Sequence, residues 1–249
     1  GALAATPKLA DDNRFGPLPR GFVAVRRDNP DAIRDAVHAH TAAVMLEPIQ
    51  GEAGIFPLAD EVLVAAREAC DAHGALLIFD EVQTGMGRTG SLWAYEQLPV
   101  RPDAITAAKA LGGGLPVGAL VAAPEMGDVF EPGDHGSTFA GGPVTASAAL
   151  AALDVLDDKS LLAGARELGA RFTAGLAGTP GVEEVRGRGL MVGVTLGDGI
   201  DAPTVRDAAL EAGLVVNCPG PRMLRFLPPL VIDQADVDEA LAKLRTALS

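Results

Sequence analysis

Three side chains in the stretch 75–118 could do chemistry together: Asp80, Glu81 and Lys109. The chain reads A-L-L-I-F-D-E-V-Q-T-G-M-G-R-T-G from 75 to 90 and P-D-A-I-T-A-A-K-A-L-G-G-G-L-P-V-G from 102 to 118. Two apolar runs of strand length, 76–79 and 104–107, end at the chemistry, one on the acid pair and the other just before the lysine. In open α/β sheets the carboxyl ends of the strands are where ligands bind. An amine and a carboxylate delivered to such an edge suit pyridoxal 5'-phosphate (PLP). The amine holds it as a Schiff base, and a carboxylate at the pyridine nitrogen tunes its electronics. Asp80 takes the carboxylate part, and Gln83 is placed to reach the ring oxygen. Lys109, once displaced by a substrate amine, can act as a general base, worth about 10²- to 10⁴-fold in rate. A protonated amine is a poor nucleophile, and the A-A-K-A-L-G-G-G context predicts a partly desolvated one.

The acids admit a reading of another class. An apolar run closed by Asp-Glu is also the pattern of the Mg²⁺-binding strand in P-loop NTPases. No G-x-x-x-x-G-K-[ST] occurs in the chain, so that reading lacks its phosphate cradle. The acid pair alone leaves a PLP enzyme, a P-loop-like nucleotide-binding protein and an inactive truncated or regulatory subunit all open.

Further candidates lie in loops. Glu47 and Glu52 occur in E-P-I-Q-G-E-A-G after a short apolar run at 42–46, which predicts a buried strand. Glu47, beside Pro48, reads as structural, and Glu52 as a candidate for either role. Gly85, Gly87 and Gly90 make a loop able to wrap a ligand or simply to turn. Ser137 and Thr138, in H-G-S-T-F-A-G-G-P, offer donors suited to phosphate. Arg225, in L-R-F-L-P-P-L, is a charge amid apolar residues that must find a partner or a ligand, and its fork suits a carboxylate.

The elements that would position these residues alternate. A helix is predicted over 30–40, with Asn29 capping, Pro30 in its first turn, and His38 and His40 near its end facing different ways. A second helix follows over 60–73, closed by Gly74, with Cys70 on its core face. The strands at 76–79, 104–107 and 117–122 come next, then a helix over 144–156. Trp93 and Tyr95 are expected to pack a loop or an interface, and 7–27 to lie as a loop over the surface. From 157 the texture becomes α+β, with helices at 160–177, 202–212 and 234–248 and strands at 182–186, 191–196, 214–217 and 223–226. The expected division is therefore an α/β large domain of mostly parallel sheet at 1–156 and a smaller C-terminal α+β domain at 157–249.

Composition narrows the partners. The 249 residues are 48% hydrophobic and carry a formal charge of -13 with no basic run, which argues against nucleic acid. Two cysteines are too few for a disulfide framework and suit a reducing cytoplasm. No apolar stretch has the length of a membrane span. The polar start after Gly1 suggests a chain beginning inside a larger protein.

The four segments L-E-P-I-Q-G-E-A-G, L-I-F-D-E-V-Q-T-G-M-G-R-T-G, A-A-K-A-L-G-G-G-L-P-V-G and H-G-S-T-F, in this order and at these separations, resemble the class III (subgroup II) PLP-dependent aminotransferases. The likeness covers essentially the whole chain. It implies PLP-transferase fold type I, and PLP held by Lys109. Asp80 would meet the pyridine nitrogen, Val82 pack on the ring and Gln83 reach its hydroxyl, with Glu81 also in the cofactor set. It implies that Thr138 binds the cofactor phosphate of a partner subunit and that Ser137 lies near substrate, hence a homodimer with shared sites. Glu52 and Arg225 match a pair that joins or separates so that one pocket takes both an amino donor and 2-oxoglutarate. Within the family the likeness is greatest to members acting on N-acetylornithine, with glutamate as the other small molecule; members acting on ornithine, succinyldiaminopimelate or 4-aminobutyrate share these motifs and stay open as the alternative. Two departures stand out. Ala140 and Gly142 replace the family's Gly and Asn after H-G-S-T-F, and the family pattern continues upstream of Gly1 with a phosphate loop, a stacking aromatic and an arginine. The chain by itself is accordingly expected to bind PLP poorly or fail to turn over.

Overall fold

The computed structural model describes residues 1–6, 15–127 and 129–249; part of the expected surface loop, 7–14, lies outside them. The first helix, α1 (Pro30–Ala36), starts as its sequence dictates, with the Asn29 side chain accepting from the backbone N–H groups of Asp31 and Ala32. It stops four residues earlier than expected. Val37 turns extended and buries its side chain, and a turn follows in which Thr41 N–H donates to the His38 carbonyl at 2.8 Å. His38 and His40 therefore leave a turn rather than a helix, and their rings meet edge-on at 5.9 Å.

The chain then forms β1 (Ala43–Leu46), the short hairpin β2 (Ile49–Gln50) and β3 (Phe56–Pro57), α2 (Asp60–His73) and β4 (Leu76–Asp80). Gly74 caps α2 in the left-handed conformation, φ 68°. Then come β5 (Ala104–Ala107) and β6 (Ala119–Ala122), which give a four-stranded sheet in the order β1-β4-β5-β6. The pairs β1/β4 and β4/β5 are parallel, and β6 runs antiparallel to β5. Leu77 and Phe79 point to one face, where they pack with Leu63, Ala66 and Cys70 of α2 and with Ile33. Cys70 is the small core residue its helical position implied. The first strand, expected to be buried, alternates between exposed and half-buried instead, because among the described residues it lies at the sheet edge and pairs with β4 alone.

Helices α3 (Pro143–Leu156) and α4 (Lys159–Ala177) lead to a second sheet. Its strands β7 (Val182–Arg188), β8 (Met191–Leu196), β9 (Asn217–Gly220) and β10 (Met223–Phe226) pair in the order β7-β8-β10-β9, all antiparallel. Together with α4, α5 (Ala202–Glu211) and α6 (Gln234–Ala247) they enclose a core of aliphatic side chains around Phe172 and Phe226, whose rings meet at 5.2 Å and 88°. The strand expected over 214–217 begins only at its last residue. Leu214 N–H is still tied to the Ala209 carbonyl at 2.7 Å, so 212–215 finish the helix end.

Candidate active site

The parallel register puts the chemistry side by side. Leu46 lies opposite Phe79, and Asp80 opposite Thr106, so Glu47, Asp80 and the turn after Ala107 all emerge at one carboxyl edge. Lys109 opens that turn with φ 47°, the left-handed region that a side chain such as lysine adopts only at a cost of about 1–3 kcal/mol. Three glycines follow it, and α3 packs on the turn. The residue is exposed, as is Ala110 after it, so the apolar context does not desolvate it as expected.

Asp80 Oδ1 accepts from Val82 N–H at 3.0 Å, which fixes the carboxylate at the strand end. Glu81 goes the other way. It is 1% exposed, and it accepts from Thr84 Oγ1 at 2.5 Å, Ala94 N–H at 3.0 Å and Tyr95 N–H at 2.8 Å. Its carboxylate is committed to closing the loop 81–95, so its expected place in the cofactor set is corrected to a structural one. Burial pushes its pKa up, against the three donors. The neighbouring glycines serve packing in the same way: a Cβ on Gly85 would lie 2.6 Å from the Trp93 ring. Gln83 lies over Gly51, where a Cβ would come within 2.4 Å of its Oε1.

The turn 51–55 joins the two sheets. Arg225 Nη1 donates to the Glu52 carboxylate at 2.9 Å and to the Gly51 carbonyl at 3.0 Å. Its Nε is buried with no hydrogen-bond partner among the described residues, an exception to the rule that buried donors are paired. Glu47 Oε2 accepts from Gly51 N–H at 3.0 Å. Burial raises the Glu47 pKa, the Gly51 N–H lowers it, Asp80 and Glu52 raise it and Lys109 lowers it, so this carboxyl stands in the field of all three charged groups. Ser137 and Thr138 lie in an exposed loop ahead of α3, with Ser137 Oγ accepting from Ala140 N–H at 3.2 Å. Among the described residues no hydrogen bond joins them to Asp80 or Lys109.

Two arginines that sequence reading passed over hold the arrangement together. Arg186 of β7 donates to the carbonyls of Gly54 and Ile55 at 2.9 and 2.7 Å and stacks 4.2 Å from the Phe56 centroid, a ring it shares with Arg27. Arg88, half-buried and lowered in pKa by desolvation, donates to the carbonyls of Leu190 and Pro228. The surrounding residues gave no sign of either, because their acceptors are backbone carbonyls more than a hundred residues away. Among the described residues no cluster of His, Cys, Asp and Glu could hold a metal ion, and no helix is long and apolar enough to cross a membrane.

A mixed α/β sheet presenting an acid and an amine at its carboxyl edge, with an arginine supplied by a second, antiparallel sheet, defines a class of ligand-binding α/β proteins rather than a nucleotide-binding P-loop unit. The family model for class-III aminotransferases matches residues 22–248, and the chain belongs to that family. This overturns the P-loop alternative, since the acid pair is divided between a strand-end carboxylate and a buried structural one. The acetylornithine aminotransferase of Gloeobacter violaceus is 47% identical over 247 residues, 97% of this chain and 61% of the relative. That of Mycobacterium bovis is 45% identical over 253 residues, all of this chain and 62% of the relative. The chain thus spans about three fifths of the length of these curated relatives. Among solved structures, ornithine aminotransferase from Toxoplasma gondii ME49 superposes with a TM-score of 0.87 at 37% identity, covering 94% of this chain and 58% of that one. N-acetylornithine aminotransferase from Stenotrophomonas maltophilia K279a gives 0.79 at 39%, covering 89% and 60%.

Proposed function

We propose that the chain carries the chemical centre of a PLP-dependent transaminase that moves an amino group between N-acetylornithine and 2-oxoglutarate, in cytoplasmic arginine biosynthesis. The substrate follows the relatives' names. One observation carries the reaction class: a carboxylate and a conformationally strained lysine at adjacent ends of parallel strands. The residues present fit the cofactor. Lys109 would hold it, Asp80 would meet its ring nitrogen, Val82 would pack on the ring, Gln83 would bond its hydroxyl, and Thr138 of a partner subunit would bind its phosphate with Ser137 near substrate. PLP when bound supplies the electron sink that weakens bonds to the substrate α-carbon. Asp80 holds negative charge at the nitrogen, and free Lys109 accepts and returns the proton at that carbon. Closed, the Glu52–Arg225 pair occupies the arginine fork; opened, it frees the fork for a bidentate grip on the dicarboxylic acid. The proposed assembly is a homodimer, and the proposed division into 1–156 and 157–249 follows the two sheets.

The test is covalent capture. The full-length protein is incubated with PLP, reduced with borohydride and mapped by mass spectrometry. The expected adduct is on Lys109 and is absent in Lys109→Ala, and an unlabelled Lys109 would sink the reading. Transamination of N-acetylornithine faster than of ornithine checks the substrate.

A further inference from the structure

Gly51 is the point at which several parts of the site touch. Its carbonyl accepts from Arg225, and its open α-carbon receives the Gln83 carboxamide. Its N–H is held by one group, the Glu47 carboxylate. That carboxylate comes from the residue directly after β1, one step beyond the Leu46–Phe79 pair, and so beside Asp80. Sequence reading treated Glu47 as ordinary structure, and an acid beside a proline gives no other signal.

We infer that Glu47 is a positioning residue that fixes the Gly51 turn to the sheet edge and thereby sets Gln83 and the Glu52–Arg225 pair in register with Asp80. The inference rests on the transaminase reading for its kinetic consequence, but not for its structural one. Three features argue for this role. Gly51 itself is buried, whereas Glu52 next to it has a side chain 82% exposed and Arg225 one 10% exposed. An exposed acid paired to a buried arginine opens easily only if the backbone beneath it stays put. Arg186, bonded to the carbonyls of Gly54 and Ile55, anchors the turn beyond Glu52 in the chain. Before Glu52, Arg225 holds the Gly51 carbonyl and the β2–β3 pairing holds Ile49 and Gln50, and Glu47 is the side chain that ties the turn back to the end of β1. Its partly buried carboxyl is also within the influence of Asp80, Lys109 and Glu52, as a group central to the cluster must be.

The role needs an acceptor oxygen rather than a charge, which makes it testable by substitution. In the full-length, PLP-loaded protein, hydrogen exchange of the peptide over 48–55 is compared for wild type, Glu47→Gln, Glu47→Ala and Glu47→Asp, alongside KM and kcat for each half of the exchange. Glu47→Gln keeps an oxygen for Gly51 N–H and is expected to retain protection. Glu47→Ala removes the acceptor, and Glu47→Asp withdraws it by one methylene without emptying the site. Both are expected to lose protection and to raise KM for 2-oxoglutarate about tenfold, the size of one hydrogen bond, with less change for the amino donor. Unchanged protection in Glu47→Asp and Glu47→Ala, or a Glu47→Gln as impaired as Glu47→Ala, overturns the inference. The exchange readout needs no turnover, so a failed transaminase assignment leaves it standing.

Discussion

Adjacent acids in one sequence stretch do different work here, and Glu81 shows why. Each of its oxygens is spoken for by a donor that folding has removed from water, so replacing it with the isosteric amide puts an NH₂ against an N–H or a hydroxyl. Glu81→Gln is expected to cost about 2–3 kcal/mol, the penalty of unsatisfied buried donors, measured by urea unfolding at neutral pH. The pH dependence has a defined sign. Burial raises the folded-state pKa of Glu81 above the ordinary 4.5, so the native state holds this proton more tightly than the unfolded chain. The stability due to this titration is fully present below the ordinary value and is lost as pH rises through the folded value. The difference in unfolding free energy, wild type minus Glu81→Gln, should therefore fall with rising pH across that window; a rise would mean the carboxylate is favoured by its donors more than it is opposed by burial.

At the scale of elements, glycines separate the site from the scaffold. A Cβ on Gly51 would meet the far end of the Gln83 side chain, which can swing away. Gly51→Ala should unfold within about 1 kcal/mol of wild type yet weaken PLP binding about two- to tenfold, the range of one displaced hydrogen bond, by equilibrium dialysis. Gly189 differs: with φ 55° and the backbone of Thr89 2.6 Å from a Cβ, nothing can yield. Gly189→Ala should lose about 3 kcal/mol or more, because it pries apart the contact between the loop after Gly87 and the β7–β8 turn. These two positions also mark what was legible in the sequence. Strands such as Leu76–Asp80 and Ala104–Ala107, and the strand-end Asp80 and Lys109, could be read because local apolar runs and a parallel register dictate them. The exposure of β1, the late start of β9, the inward turn of Glu81 and the anchors Arg88 and Arg186 could not. Each depends on a neighbour brought in by the fold, and a side chain bonding to a distant carbonyl leaves no pattern around itself.

At the scale of the whole molecule, two apolar surfaces are exposed among the described residues. Every residue of β6 is exposed, Leu120 by 62%, and α3 exposes Val144, Leu150 and Val155 by 71, 63 and 59%. Surfaces of this kind mark contacts with another protein surface, which supports the proposed homodimer. Burying one leucine is worth about 1.5–3 kcal/mol. Leu150→Glu, which forfeits that and adds a charge, should therefore raise the dimer dissociation constant of the full-length protein at least about tenfold in analytical ultracentrifugation, with an unchanged circular dichroism spectrum. The net charge of -13 supplies a second arm. Two acidic protomers repel, and salt screens that repulsion over about 10 Å at 0.1 M, while apolar contacts do not weaken. Wild-type association should accordingly tighten from low to physiological salt. A dimer that instead dissociates over that range would be held by ion pairs, and the two apolar surfaces would then belong to some other contact.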